Sequence, residues 1–207
     1  MWMSRDAMEL QVPTPTIDAA VMMRNLSARK AQRMATSERL HGPPGLDPLF
    51  EGNQEALLAA LKNALYIGMV VTYAQGFDLL KTASRNYGYG LDLEAVSRIW
   101  RGGCIIRAGL LEDIHAVYAG GKDMPNLLVN AQFSRKIMAR QKDLRHVVRT
   151  CAHLGLPAPA LMATLSYFDA MRSKQLPANL IQAQRDYFGA HTYERIDAKG
   201  TFHTQWE

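Results

Sequence analysis

A helical pattern that runs without interruption from Gln54 to about Asn86 constrains the fold of this chain more than any other feature. Small residues recur at every fourth position, at Gly68, Thr72 and Gly76, so that another helix can approach closely. Because glycine and β-branched residues lower helix propensity, tertiary packing must hold this segment. Spacings of three and four, the period of an α-helix, also separate the apolar residues Leu57, Leu58, Leu61, Leu65, Met69, Leu79 and Leu80.

The other helical patterns are shorter and are separated by glycine, proline and capping residues. No stretch alternates apolar and polar residues as a strand does, so the chain is predicted to be all-α. No element is predicted for residues 1–11, and the Gly- and Pro-rich segment 36–53 is predicted to be a loop. Helices are predicted at about 14–34, 92–101, 104–118, 132–152, 159–174 and 178–188, with Gly189 ending the last.

Composition places the chain among globular proteins. Its 207 residues are 48% hydrophobic, which is enough for one sizeable core or two small ones. A formal net charge of +5 allows an anionic partner without requiring one. The basic run 134–145 lacks interleaved aromatic residues, which predicts a solvated helix face and no nucleic-acid surface. The least charged run, 63–77, is too short to span a bilayer and predicts a buried helix with no membrane partner.

Cysteine usage and the N-terminal sequence both favour the cytoplasm. Cys104 and Cys151 are predicted to be two reduced, buried thiols, because two cysteines do not make a disulfide framework. The N-terminus shows no basic-then-apolar signal sequence. The six histidines form no HExxH or Cys/His cluster, so no metal site is predicted.

Arg185 and His191 form the strongest candidate site. Arginine offers a rigid fork of donors that suits phosphate or carboxylate, and histidine can donate or accept a hydrogen bond near neutral pH. An exposed arginine beside Asp186 and a surface histidine would look the same, so the residues alone leave both interpretations open. The tail 202–206 is aromatic and polar, has no helical pattern, and needs something to pack against. A third cation, Arg24, is by itself most typical of a solvated helix face.

The C-terminal sequence resembles one enzyme family closely. Residues 176–197 read LPANLIQAQRDYFGAHTYERID, and the motif G-x-FHTxW follows at 200–206. This is similar to the C-terminal signature of 6-phosphogluconate dehydrogenase, the decarboxylating enzyme of the pentose phosphate pathway. The resemblance extends upstream through the segments YAQGF at 73–77, WRGGCIIR at 100–107, VP at 12–13 and IDAAV at 17–21. It covers nearly the whole chain, but the chain covers less than half of the family's usual length.

The resemblance implies an all-helical domain with a long central helix, a duplicated helical unit and an extended tail. The tail, about 190–207, is expected to reach the partner subunit of a homodimer. An internal echo fits the duplication, because in each half a Phe-Asp pair is followed by two basic residues that are six apart. These are Phe77-Asp78 with Arg101 and Arg107, and Phe168-Asp169 with Arg185 and His191. Arg101 and Arg107 are expected to be structural and to pair with buried acceptors such as Asp78 or with helix C-termini.

Site residues follow from the same resemblance. Arg24 matches the family arginine that contacts the substrate phosphate within one subunit, and Arg185 and His191 match residues that reach the sugar phosphate bound in the partner subunit. The family's catalytic lysine and glutamate, a phosphate-contacting lysine and the NADP-binding Rossmann domain would precede residue 1. The resemblance therefore implies no catalytic, cofactor-binding or metal-binding residue in this chain, which by itself would be inactive without a separate N-terminal half.

Two alternatives stay open at this point. The chain could be a non-enzymatic helical interaction module that has kept the scaffold and lost the chemistry, which an upstream reading frame for the Rossmann half would argue against. It could also belong to the broader β-hydroxyacid dehydrogenase group, but those relatives lack the FGAHTYER tail found at 188–195. Whether the parent enzyme uses NADP or NAD is not decided by these residues.

Overall fold

The computed structural model describes residues 1–42, 53–121 and 123–206. The chain divides into two compact units, Met1–Phe168 and Asp169–Glu207, and each is described by itself. Most of the segment 36–53, predicted to be a loop, lies outside the described residues. The elements are α1 (Trp2–Glu9), α2 (Pro15–Ser27), α3 (Lys30–Ser37), α4 (Gln54–Tyr87), α5 (Leu93–Gly103), α6 (Leu110–Tyr118), a 3₁₀ turn (Leu127–Val129), α7 (Ala131–Met138), α8 (Gln141–His153), α9 (Pro159–Met171), α10 (Asn179–Gly189), β1 (Tyr193–Glu194) and β2 (Thr201–Phe202).

The long helix predicted from the sequence is α4, and both of its ends are defined by local chemistry. The Asn53 side chain accepts a hydrogen bond from the backbone N–H of Ala56, which caps the first turn. Gly88 follows the last turn at φ 69°, in the left-handed conformation that glycine adopts without a Cβ penalty. The all-α prediction is thus confirmed for the first unit, apart from its 3₁₀ turn.

The core of the first unit is built around α4. Its middle turns are fully buried, with Ile67 and Val70 at 0% exposure. Phe77 stacks on Tyr118 of α6 at a centroid distance of 5.1 Å and meets Trp100 of α5 edge-on at 5.3 Å. The predicted close approach of helices is confirmed. A Cβ at Gly68 would lie 3.3 Å from Leu161 Cδ2 of α9, and one at Gly76 would lie 3.7 Å from Met3 Cε of α1.

A buried polar cluster joins three helices inside this apolar core. The Gln75 amide accepts a hydrogen bond from the backbone N–H of Thr16 at 3.2 Å and donates to Thr16 Oγ1 at 3.1 Å. Thr16 Oγ1 lies 3.1 Å from Thr164 Oγ1, whose hydroxyl also bonds the carbonyl of Ala160. Each of the three side chains is therefore paired, as buried polar groups must be. The cluster fixes α2 and α9 against one turn of α4.

Replacing Gln75 by leucine is expected to lower the free energy of unfolding by about 1–3 kcal/mol, because the buried N–H of Thr16 would lose its acceptor. Asn86→Leu is the matched control on the same helix, since Asn86 is exposed and bonds only the carbonyl of Thr82 within its own turn. That change is expected to stay within about 0.5 kcal/mol. Chemical denaturation measures both values, and equal losses would contradict the role given to the cluster.

α4 is also long and apolar enough to cross a membrane by length and composition, the one such helix in the described part of the chain. In its most apolar 18-residue window, 39% of the residues are buried within the fold. The same helix carries Gln75, which belongs to the polar cluster and is 0% exposed. The core helix of a soluble protein can have the same length and composition. The burial of Ile67, Val70 and Val71 against other helices favours that interpretation of α4.

Helices α2 and α3 replace the single helix predicted for 14–34. The predicted start is confirmed, with Thr14 as the residue before the helix and Pro15 in its first turn. The break comes at Arg29, whose N–H bonds the carbonyl of Leu26 in a tighter turn. No described residue of α3 is buried, so no packing forces the two segments into one rod.

Two further predicted helices begin or break at other places. The helix predicted from Cys104 starts only at Leu110, after a turn in which the N–H of Arg107 bonds the carbonyl of Cys104. The helix predicted for 132–152 is divided into α7 and α8 at Arg140, whose N–H bonds the carbonyl of Ile137. Ile137 and Leu144 are both buried and lie seven residues apart, so the apolar period continues across the break and conceals it.

Three smaller expectations also need correction. Residues 2–9 form α1, which was not predicted, because it buries only the small side chains of Ser4 and Ala7. Cys104 and Cys151 are free thiols as predicted, but both are partly exposed rather than buried. The basic face of α7 and α8 is solvated only in part, because Lys136 pairs with Asp113 at 2.6 Å, and Met138, at 54% exposure, does not join the core stripe.

The second unit contains α10 and a short antiparallel hairpin. In the hairpin Tyr193 pairs with Phe202 and Glu194 with Thr201. Its two strands are the only non-helical regular elements among the described residues of this unit. Two residues per strand are too few to show the alternation by which strands are recognised in a sequence.

Candidate functional site

Arg185 lies on the exposed surface of α10, within the second unit. The helix ends close to where its sequence predicts, but Gly189 is its last residue and Ala190 is the residue in the left-handed conformation, at φ 51°. The expectation that Gly189 would supply that conformation is therefore wrong by one position. The glycine at 189 instead leaves space for a neighbouring side chain. A Cβ there would lie 3.1 Å from Nε2 of His191, so the imidazole occupies the space that a side chain would fill.

His191 is held in a turn between two residues with positive φ. Ala190 has φ 51° and Thr192 has φ 62°, although neither is glycine. Such conformations cost about 1–3 kcal/mol each and persist only where the surroundings impose them. The N–H of Ala190 bonds the carbonyl of Asp186, and the N–H of Thr192 bonds the Asp186 carboxylate at 2.9 Å. The turn leaves the His191 side chain exposed to solvent.

Asp186, which follows Arg185 in the sequence, is the buried centre of the second unit at 1% exposure. Its Oδ1 accepts hydrogen bonds from the Thr192 N–H and from Nδ1 of His203, both at 2.9 Å. Its Oδ2 accepts from the Thr204 N–H and from Nε1 of Trp206, both at 3.0 Å. An ionised carboxylate only accepts hydrogen bonds, so His203 carries a proton on Nδ1. One side chain thus joins α10, the turn and the C-terminal tail.

The ionised form of Asp186 is strongly favoured. Burial by itself would raise the pKa of this carboxyl, but the hydrogen bonds from His203, Thr204, Trp206 and Thr192 outweigh burial and hold the pKa far below its usual range. These four donors also compensate for an unfavourable position, because a negative charge near a helix C-terminus meets the negative end of the helix dipole. The tail therefore closes on a carboxylate that stays charged throughout the physiological range.

The tail has packing partners inside its own unit. The Trp206 ring meets Tyr187 of α10 edge-on at a centroid distance of 5.7 Å. Tyr193 stacks on Phe202 across the hairpin at 6.2 Å, and its hydroxyl lies 2.7 Å from Thr204 Oγ1. The tail was expected to need a packing partner, and α10 provides part of that partner.

The guanidinium of Arg185 is free to meet an external anion. In the described residues it makes one hydrogen bond, from Nη1 to Gln182 Oε1 at 3.2 Å, and no ion pair. The neighbouring carboxylate of Asp186 faces inward and is fully used by its four donors. The same Gln182 amide donates through Nε2 to the carbonyl of Thr192. Gln182 therefore links Arg185 to the turn that carries His191.

Arg24 lies in the last turn of α2, in the first unit, and is exposed. Among the described residues no carboxylate pairs with its guanidinium, while its carbonyl accepts bonds from Ser27 Oγ and from the N–H of Ala28. The structure thus leaves Arg24 available for an anion, as it does Arg185 and His191 of the second unit.

The arginines expected to be structural do not pair as predicted. Arg101 bonds Glu112 Oε1 at 2.8 Å on the surface, and Arg107 is exposed in the turn before α6. Neither reaches Asp78, which is half-buried near Lys81. Burial raises the pKa of the Asp78 carboxyl. The reason is the turn at 104–109, which takes Arg107 off the helix on which it was placed.

A groove of about 610 Å³ also lies in the second unit, between α10 and the hairpin. Its walls are formed by Gln182, Tyr193, Arg195, Trp206 and neighbouring residues, and neither Arg185 nor His191 lines it. Arg195 is already paired with Asp197 at 2.5 Å. Arg185, whose guanidinium has no ion pair in the described residues, is therefore a better candidate for binding an anion than the groove, whose arginine is already paired. No group of three potential metal ligands occurs in the described ranges.

Sequence reasoning missed Asp186 and Gln182, the two side chains that support the site. The available signal was an acidic residue three positions before a helix end, where the helix dipole disfavours it, followed by a tail rich in N–H donors. Which carboxylate receives those donors depends on how the tail folds back, and no spacing in the sequence shows that.

Comparison with known proteins identifies relatives of the whole chain. The family model described as 6-phosphogluconate dehydrogenase, C-terminal domain, matches residues 1–206. The decarboxylating 6-phosphogluconate dehydrogenase of Synechococcus elongatus is 48% identical over 205 residues, which cover 99% of this chain and 43% of that protein. The NADP(+)-dependent, decarboxylating enzyme of Bacillus subtilis is 43% identical with the same coverage.

A solved structure shows the same fold. The 6-phosphogluconate dehydrogenase of Plasmodium falciparum, described in its apo form and in complexes with NADP+ and with 6-phosphogluconate, superposes with a TM-score of 0.91 at 38% identity. The match covers 99% of this chain and 44% of that one. The chain therefore spans less than half the length of the relatives it matches.

Proposed function

Since the chain belongs to the 6-phosphogluconate dehydrogenase C-terminal domain family, we propose that it supplies the substrate-binding and dimerisation domain of such an enzyme. The reaction is the oxidative decarboxylation of 6-phospho-D-gluconate to D-ribulose 5-phosphate and CO2 with NADP. The observation that carries the proposal is Arg185, an exposed guanidinium without an ion pair in the described residues, which Gln182 connects to the turn that carries the exposed His191.

The proposed role of these residues is to bind the phosphate of the substrate. A guanidinium binds a phosphate through two parallel charge-assisted hydrogen bonds, which fix orientation as well as position. Arg24 would act within its own subunit, whereas Arg185 and His191 would reach the substrate bound in the partner subunit. Holding the phosphate end fixes the distant reacting carbon, so that binding energy is used to orient the substrate.

The chemical step requires groups outside the described residues of this chain. Bound by a Rossmann half, NADP would supply the hydride acceptor for oxidation at C3 of the substrate, after which the carboxyl group would leave as CO2. A base must take the hydroxyl proton and an acid must return one, which are the roles of the family's lysine and glutamate. This chain alone is therefore expected to show no dehydrogenase activity.

Exposed apolar side chains on α10 support a homodimer in which the second unit contacts a partner. Leu180 is 73% exposed, Ile181 60% and Phe188 79%. Large apolar side chains clustered on one short helix are typical of an interface. Sedimentation at micromolar concentration is expected to show a dimer, and a compact monomer would count against this part of the proposal.

The cytoplasm is the proposed compartment, although one rice relative is named as chloroplastic.

Complementation tests the proposed function directly. The chain is mixed with a separately produced N-terminal half from a relative, and reduction of NADP is followed with 6-phosphogluconate as substrate. Activity is expected from the mixture and from neither part alone. A mixture that assembles into a dimer but neither binds 6-phosphogluconate nor turns it over would favour a helical interaction module that has lost the chemistry.

A further inference from the structure

The turn that carries His191, one of the two residues proposed to bind phosphate from the second unit, has a strained backbone. Two non-glycine residues in the left-handed conformation, Ala190 and Thr192, flank His191. A β-branched threonine at φ 62° is rarely found there without an external constraint. A short, exposed turn of this kind would relax to other conformations if nothing held it, and the imidazole would then move with the backbone.

The constraint is the carboxylate of Asp186. It accepts the N–H of Thr192 directly, and it ties down the tail through His203, Thr204 and Trp206. Both oxygens accept two donors each, and the side chain is 1% exposed, so it cannot also contact a ligand. Asp186 therefore acts on the site only through the groups that it holds.

A second side chain connects this turn to Arg185. The Gln182 amide accepts a hydrogen bond from Nη1 of Arg185 and donates one to the carbonyl of Thr192. Residue 192 is thus fixed at its N–H by Asp186 and at its C=O by Gln182. Hydrogen bonds thus connect the Arg185 guanidinium, through Gln182, to the residue that follows His191.

We propose that Asp186 is a positioning residue for phosphate binding: its buried carboxylate, assisted by Gln182, fixes the strained turn at 190–192 and so holds His191 and Arg185 in register for one phosphate group. This inference rests on the proposed function, because it assumes that the pair binds a phosphate. It adds that the C-terminal tail, by supplying three of the four donors to Asp186, belongs to the support of that site.

Nuclear magnetic resonance of the full chain tests the proposal with inorganic phosphate as the probe. Phosphate is expected to shift the His191 ring signals and the Arg185 Nε signal along one binding curve. In Asp186→Asn the affinity for phosphate should fall about tenfold or more, because the amide offers a donor where the site needs an acceptor. Asp197→Asn is the matched control, since it removes a carboxylate of the same unit that is exposed and paired only with Arg195.

Two further variants separate positioning from folding. Gln182→Ala leaves all four donors of Asp186 in place, and it should weaken phosphate binding while the Trp206 indole signal stays unchanged. Gly189→Ala places a methyl group 3.1 Å from Nε2 of His191. It should move the ring and weaken binding without releasing the tail. If Asp186→Asn unfolds the second unit, Gln182→Ala decides whether the held turn matters for binding, and Gly189→Ala shows whether binding responds to the position of the His191 ring.

The outcomes distinguish this proposal from the one on which it rests. A wild-type chain whose His191 and Arg185 signals ignore phosphate would overturn the anion site, and the positioning role with it. A wild-type chain that binds phosphate, together with Asp186→Asn, Gln182→Ala and Gly189→Ala variants that bind it equally well, would overturn the positioning role alone. Weakened binding in these variants, with Asp197→Asn unchanged, supports it.

Discussion

In the complemented enzyme, replacing Arg185 by alanine is expected to raise the KM for 6-phosphogluconate by roughly 10- to 100-fold. A hydrogen bond to a charged partner contributes about 1.5–3 kcal/mol, and about 1.4 kcal/mol corresponds to a factor of ten. The loss falls mainly on KM, because the phosphate is distant from the reacting carbon and is held equally in the ground state and the transition state.

Arg195→Ala is the matched control for that experiment. Arg195 lies in the same unit, and its replacement removes the same charge. Its guanidinium, however, is paired with Asp197 and lies over the Phe202 ring at 5.5 Å. Its KM is expected to stay within about threefold of the wild type. Steady-state kinetics at constant ionic strength measures both variants. An Arg185→Ala enzyme with unchanged KM would remove Arg185 from the site.

Acidification is expected to release the C-terminal tail before it melts the helices of the first unit. The pKa of Asp186 lies well below the ordinary value near 4. The stabilisation from its ionised form is therefore complete above about pH 4 and is lost as the pH falls toward the folded pKa. Asp197 titrates in the same direction, since hydrogen bonding to Arg195 lowers the pKa of its carboxyl to about 2.

Hydrogen exchange at the Thr192 and Thr204 amides reports this release, together with Trp206 fluorescence. Between pH 5 and pH 2 the protection of these amides is expected to fall by roughly 100-fold more than that of the α4 amides. Asp186→Asn should lose most of the protection already at pH 7 and show little further dependence on acid, whereas Asp197→Asn should keep the transition. The same acid transition in Asp186→Asn would show that another group controls the tail.

The resemblance found in the sequence is confirmed, and the reason is that rare residue types occur in a long continuous order at the C-terminus. The all-α class follows from helical periodicity, which is strong over the 34 residues of α4. Helix boundaries were less well predicted. At Arg29 and Arg140 a single tightened turn breaks a helix while the apolar spacing on both sides continues, so the period alone gives no sign of it.

For the candidate site, the sequence predicted the candidate phosphate-binding residues but not the side chains that hydrogen-bond around them. Arg24, Arg185 and His191 were singled out by side-chain chemistry and by the resemblance, and all three are exposed. Their role in binding phosphate stays a prediction. Asp186 looked like an ordinary neighbour of Arg185, because nothing in a helical sequence shows which of two adjacent polar side chains is solvated.

The sequence by itself determined the helical class, the long α4 and the family to which this domain belongs, because periodicity and residue order are local properties of the chain. Only the tertiary structure decided that the tail folds back on Asp186, that Gln182 joins Arg185 to Thr192, and that the His191 ring occupies the space beside Gly189. These contacts join residues whose hydrogen-bonding groups have several possible partners, and the choice among them is made by the packing of the folded chain.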